Sequence, residues 1–465
     1  MSAHPAYDRL TGVLLLATAI VVTAKEWTGH AVFVHAAAVG ALVVTLMLAL
    51  VAARGGRIFA LIALGLSVFA ASTRPDWLDL VVSGLSVAAF VAAFFSALAT
   101  LRDASVSSPA IGRLGQFLAE QPPGRRYLAL TAGGHLFGLT LNYGAIQLFG
   151  GLVEATKREP VAEIRTIRIR RMLLAVQRGF VSSLTWSPLA FSIAISVPLI
   201  AGASWSGAVG AGLVSSAILA GLGWALDTIY KPRRTAVPPR SPTEGSWALV
   251  WPLFLLLAII VTILGGLNAV TGVRVVGVVM LAVPLLALGW IALQKIGHGG
   301  ASATLVQVDT FLFKELPGYR GELLLLMMAG FLGTVGGRIL LPWAVSLDLN
   351  LASAPTWAIL LGIVWAIPVS GQLGMNPILF VSLIAPLLPS PSDMGVQPSA
   401  VICAITAGWA LSGASSPFTA TTTLLGSLGG VSAIHVGLVW NGLYTLLAGL
   451  ALSGWVLLFA RIMAA

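Results

Sequence analysis

Apolar residues run along this chain in blocks of about twenty, separated by short polar stops. A helix needs about 20 apolar residues to cross the hydrocarbon of a bilayer. Qualifying runs lie at roughly 10–26, 31–53, 57–72, 79–100, 172–200, 206–227, 247–268, 274–292, 322–342, 398–425 and 432–460, which predicts about 11 transmembrane helices. Two further segments fit poorly as single helices. Segment 128–153 carries Gly133, Gly134, Gly138, Gly144, Gly150 and Gly151. Segment 355–390 is too long for one crossing and is interrupted at Pro368-Val369-Ser370-Gly371 and at Asn376-Pro377. Polar segment 101–126, with the apolar trio Leu114, Phe117 and Leu118, reads as a helix lying on the inner interface, and 154–171 reads the same way. Residues 228–246, rich in proline and arginine, form a linker of soluble character near the middle of the chain.

Composition sharpens this pattern. Of the 465 residues, 58% are hydrophobic and 9% are charged, against roughly a quarter charged in soluble domains. So few charges cannot cover so much apolar surface in water. A globular cytosolic enzyme, a disordered chain and a nucleic-acid partner are excluded; the partner is the lipid bilayer. The net charge of +10 then reports orientation. If segments 128–153 and 355–390 are re-entrant hairpins and the N-terminus is cytoplasmic, 21 of the 26 lysines and arginines fall inside. Counting 128–153 as a full crossing destroys that bias. The expected fold is therefore an all-α polytopic membrane protein with two re-entrant hairpins. Its parts are scaffold helices and an interfacial arm at 1–127, a first transport half at 128–227 (hairpin 128–153, broken helix 172–200) and the linker 228–246. Further scaffold helices and an arm follow at 247–321, then a second half at 322–460 (hairpin 355–390, broken helix 398–425). The N-terminus shows no cleavable signal pattern. Cys403, the single cysteine, and six scattered histidines give no metal-site spacing.

One sequence pattern recurs across the linker. Gly179-Phe180-Val181-Ser182-Ser183-Leu184-Thr185-Trp186-Ser187-Pro188 matches Gly408-Trp409-Ala410-Leu411-Ser412-Gly413-Ala414-Ser415-Ser416-Pro417 in glycine, aromatic, serine and Ser-Pro positions. In the expected topology the two run in opposite directions, so they form an inverted repeat, the mark of secondary transporters. Each is preceded by a hairpin with an asparagine near its tip, Thr140-Leu141-Asn142 and Gly374-Met375-Asn376. Proline removes a backbone donor and breaks its helix. The break bares carbonyls, which suit a cation, and amides, which suit an anion. The candidate substrate and ion site comprises Thr140, Asn142, Thr185, Ser187, Pro188, Asn376, Ser415, Ser416, Pro417 and Thr419. His135 is a structural histidine in this reading, with a proton relay as the alternative.

This layout resembles the ion transporter superfamily, with architecture similar to its divalent anion:sodium symporter family. In that family each hairpin tip carries a Ser-Asn-Thr motif; here Asn142 and Asn376 carry over, with Thr140. The broken-helix loops carry over as Thr185, Ser187 and Pro188, and as Ser415, Ser416, Pro417 and Thr419. The resemblance implies an elevator mechanism, a homodimer and sodium ions at the same residues, with no other cofactor. The expected function is secondary active transport of a small anion, an organic carboxylate, driven by sodium or protons, in a bacterial inner membrane. The absence of acidic residues away from loops and ends supports an anion. An integral membrane enzyme or lipid-linked sugar handler is the alternative, and a channel a weaker one.

Overall fold

The computed structural model describes residues 5–52, 54–156, 162–231, 245–297, 299–346 and 351–463. The core of the expected linker and the outer-loop Asp348 lie outside these residues. The helices in chain order are α1 (Pro5–Thr28), α2 (Ala31–Val51), α3 (Arg54–Thr73), α4 (Trp77–Val106), α5 (Pro109–Ala119), α6 (Pro123–Leu141), α7 (Gly144–Thr156), α8 (Ala162–Ser183), α9 (Phe191–Leu199) and α10 (Trp205–Ile229). They continue as α11 (Trp251–Thr271), α12 (Val275–Gln294), α13 (Gly300–Thr310), the single turn α14 (Leu316–Gly318), α15 (Arg320–Ser346), α16 (Thr356–Gln372), α17 (Pro377–Ile384), α18 (Pro398–Ser415), α19 (Ala420–Gly429) and α20 (Gly442–Ile462).

Ten spans among the described residues are long and apolar enough to cross a membrane, which makes the chain a multi-pass membrane protein. They correspond to ten of the eleven expected crossings. The exception is 172–200, where the helix stops after Ser183 and resumes at Phe191, and where Arg178 interrupts the apolar run. The expected interfacial helix at 154–171 is not separate: its described part from Ala162 is continuous with α8.

The chain folds as two compact units. Unit 1 comprises residues 1–104, 260–351 and 378–388. It holds α1–α4 and α12–α15. Leu50, Leu61 and Val68 are exposed on its helices, as lipid-facing positions are. Unit 2 comprises residues 105–259, 352–377 and 389–465. It holds both interrupted helices. The boundaries of the units fall after residues 104, 259, 351, 377 and 388.

The two expected hairpins differ. In the first, α7 doubles back along α6: Phe149 packs on Phe137, ring centroids 5.5 Å apart, and against Gly133. The second, 355–390, is divided. Its first arm, α16, belongs to unit 2, whereas residues 378–388, including nearly all of α17, belong to unit 1. There α17 lies against α15, where Gly333, Gly336 and Gly337 meet Ser382 and Leu383. The glycines on α15 remove the side chains that would hold the helices apart.

Candidate solute site

Unit 2 contains two helix pairs built alike. In the first, α6 lies along α8, and a Cβ on Gly179 would run into the Thr131 carbonyl. In the second, α16 lies along α18, and a Cβ on Gly408 would sit 2.9 Å from the Val364 carbonyl oxygen. A second crossing point follows in each pair. Gly138 faces Phe180 and Ser183, and Gly371 faces Ser412 and Ser416. These crossing points are seven residues apart on α6 and on α16, and four apart on α8 and on α18. The repeat seen in the sequence is thus a repeat in packing, fixed by glycines at matched places.

Each interrupted helix ends as its sequence dictates. After α8 the chain turns through Leu184–Ala190 before α9 begins. After α18, Ser416 is extended (φ −70°, ψ 127°), as the residue before proline must be, and α19 starts beyond Thr419. The serines of the two Ser-Pro pairs take the same local turn. Leu189 N–H donates to Ser187 Oγ (3.2 Å), and Phe418 N–H donates to Ser416 Oγ (3.3 Å). Their own protons differ. Ser416 Oγ donates to the Gly371 carbonyl (2.6 Å), tying the break to α16. The Ser187 hydroxyl proton has no acceptor among the described residues.

The carbonyls bared by the breaks are largely taken up by the protein itself. Ser192 Oγ donates to the Leu184 carbonyl, and Trp205 Nε1 to that of Trp186 (2.9 Å). In the second break, Thr421 Oγ1 and Gln177 Nε2 donate to the Gly413 carbonyl, and Thr422 Oγ1 to that of Ser416 (2.6 Å). Several site hydroxyls likewise donate to backbone carbonyls, inside helices as well as at the breaks. Thr185 Oγ1 donates to the Gly212 carbonyl of α10 (2.8 Å), Ser415 Oγ to Leu411 (2.8 Å) and Thr419 Oγ1 to Ser416 (2.9 Å). These hydroxyls hold the breaks in shape, and Thr140 is turned back to the Phe137 carbonyl. The α19 amides behind Thr419 have no side-chain cap.

Both hairpin tips turn through positive φ. Gly374 does so at +88°, which costs glycine little. Asn142 does so at +53° with ψ −140°, and among the described residues no other non-glycine residue has positive φ. Its Oδ1 accepts from Tyr143 N–H (2.8 Å), and its side chain makes no bond to either break among the described residues. Asn376 is half-buried just before Pro377.

Sequence reasoning missed the polar hub that joins the breaks. Gln177, fully buried on α8, donates from Nε2 to the Gly413 and Ala414 carbonyls at the end of α18 (both 3.4 Å). Asn441 Nδ2 donates to Gln177 Oε1 (2.8 Å), and Asn441 Oδ1 accepts from Arg178 Nε (3.2 Å). Arg178, buried, also donates to Tyr127 Oη (3.1 Å) and the Trp440 carbonyl (3.4 Å), and lies 4.4 Å from the centre of the Tyr444 ring. Asn441 follows a turn of π-helix at His435–Trp440, a local widening often found at functional positions. No carboxylate pairs with Arg178 among the described residues. A buried guanidinium without a counter-charge is costly, so its retention beside the breaks needs a reason. In the sequence Arg178 closes a dense basic stretch and reads as cytoplasmic; its position one residue before Gly179 was the available signal. An apolar cavity of about 180 Å³, lined by Leu118, Gly133, Phe137, Trp247 and Leu253, is separate from these groups.

No family model and no curated protein matches the chain. Solved structures do. The YdaH transporter of Alcanivorax borkumensis, described as having an unusual topology, is similar with a TM-score of 0.55 at 17% identity, over 88% of this chain and 98% of that one. MtrF of Neisseria gonorrhoeae, described as illuminating a class of antimetabolite efflux pumps, is similar with a TM-score of 0.51 at 12% identity, over 89% of this chain and 96% of that one. At these identities the likeness is one of fold: a polytopic helical membrane architecture shared nearly end to end.

Proposed function

We propose that the protein is a secondary active transporter of a small anion, in the first place an organic carboxylate. The observation that carries this reading is the pair of interrupted helices, packed at matched glycines inside one compact unit. Paired half-helices are how transporters turn helix-end dipoles toward a solute. Anion preference is supported by Arg178, the uncapped α19 amides and the free Ser187 proton. Solute drive comes from sodium or protons. The mechanism is an elevator: unit 2 carries the solute as one body while unit 1 serves as scaffold, in a homodimer in the bacterial inner membrane with the N-terminus cytoplasmic. MtrF is described among antimetabolite efflux pumps, which makes export of an anionic antimetabolite the alternative direction.

Reconstituted in liposomes, the protein should take up or exchange at least one of gluconate, succinate and citrate, none of which crosses a bilayer unaided. Loss of the Ser187 hydroxyl removes one hydrogen bond to the anion, so Ser187→Ala should lower uptake about tenfold, with a loss of stability of about 1 kcal/mol from the Leu189 N–H that it releases. Transport of none of these anions above protein-free liposomes would reject the reading.

A further inference from the structure

His135 sits on α6 beside the first break. Its Nδ1 lies 2.8 Å from Ser182 Oγ, and its ring stacks on Trp186, centroids 5.8 Å apart at 18°. Ser182 Oγ also lies 2.7 Å from the Gly179 carbonyl. We assign the hydroxyl proton to that carbonyl, so that Ser182 Oγ accepts from Nδ1–H and the neutral imidazole keeps its lone pair on Nε2. The ring also bonds the Gly179 backbone, and among the described residues no side chain other than Ser182 bonds it. Beside it, the Trp186 indole N–H is buried with no acceptor. An imidazole lone pair and an indole donor thus stand together where the helix is interrupted.

The charges around the ring are otherwise committed. On α8, Arg171 is paired with Asp227 of α10 (2.6 Å), and Arg178 is held by Tyr127 and Asn441. On α5, Glu120 accepts from Gln116 (2.9 Å) and Arg113 is exposed. The described side chains of α7 carry no charge. None of these groups bonds to the imidazole.

We propose that His135 Nε2 is the site of the coupling proton, taken up together with the anion; this rests on the transport reading above. The lone pair of Nε2 accepts one proton, imidazole becomes imidazolium, and one monovalent anion plus one proton leave the charge of the carrier unit unchanged. A buried imidazolium is costly alone and far less so beside an anion, so proton and anion bind cooperatively. An electroneutral load also avoids moving an uncompensated charge through the membrane.

The test uses the full-length protein in liposomes without sodium, with the carboxylate that exchanges best among gluconate, succinate and citrate, none of which crosses a bilayer unaided, and with potassium and valinomycin holding the membrane potential at zero. For a one-proton symporter, a gradient of about one pH unit, acid on the side of solute entry, sustains about a tenfold solute accumulation. His135→Gln keeps a donor toward Ser182 but has no titratable lone pair. It should abolish this accumulation and weaken carboxylate counterflow without abolishing it, since counterflow needs no net proton movement but loses the favourable imidazolium. Accumulation at wild-type level in His135→Gln overturns the proposal, as does drive by sodium alone with no response to pH. A second measurement does not depend on the variant: calorimetry of carboxylate binding to the wild type, in buffers of different ionisation enthalpy, should report about one proton taken up per anion. Binding without proton uptake overturns the proposal while leaving transport standing. Absence of counterflow in the wild type would remove the transport reading itself.

Discussion

Ser187 and Ser416 occupy matched places, yet their hydroxyls are engaged differently, and this separates binding from architecture. Ser416→Ala removes one of the two donors to the Gly371 carbonyl, the other being Gly374 N–H, and should destabilise the protein by about 0.5–1.5 kcal/mol, read as a lower unfolding temperature. An unchanged unfolding temperature would show that the break is not tied to α16 this way. Asn142 offers a cleaner probe, because its backbone rather than its packing is unusual. Asn142→Gly should preserve stability and lose the amide; Asn142→Ala should cost about 1 kcal/mol more, since alanine resists positive φ. Equal stability of the two variants would contradict the backbone assignment. At this scale the sequence was half-legible. The Ser-Pro pairs announced themselves by spacing, whereas Asn441 lies over 260 residues from Gln177 and Arg178 along the chain and meets them only in the fold. Nothing in a basic stretch ending at Arg178 distinguishes a buried guanidinium from a solvated one.

Among the elements, the pairs α6–α8 and α16–α18 carry the argument, and glycine decides how close they lie. Gly179→Ala or Gly408→Ala must wedge a methyl group against a facing carbonyl and should cost about 1–3 kcal/mol each. Gly265→Ala on α11 meets open space and should be neutral or stabilising by up to about 1 kcal/mol. If all three variants melted alike, the close crossing would not exist. Interrupted helices were readable because proline acts locally. The fate of 355–390 was not. Whether α17 returns along α16 or packs elsewhere depends on the glycines of α15, some forty residues upstream, and local sequence does not state that partnership.

For the whole molecule, apolar block length fixed ten spans correctly, because the bilayer thickness imposes its own ruler on every crossing. The division into two units was less readable, since unit 2 is assembled from three separated stretches of chain. An elevator requires unit 2 to move as one body, with α8 and α18 fixed against each other throughout the cycle. Val181 and Gly413 allow this to be tested. A Cβ on Gly413 lies 4.0 Å from the Val181 Cβ, within the range a disulfide spans. With Cys403→Ser removing the native thiol, the pair Val181→Cys and Gly413→Cys should cross-link on mild oxidation in membranes, and the cross-linked protein should still exchange carboxylate at the rate of its reduced form. Failure to cross-link, or complete cross-linking that stops exchange and is reversed by reduction, would contradict a carrier unit in which the two interrupted helices travel together.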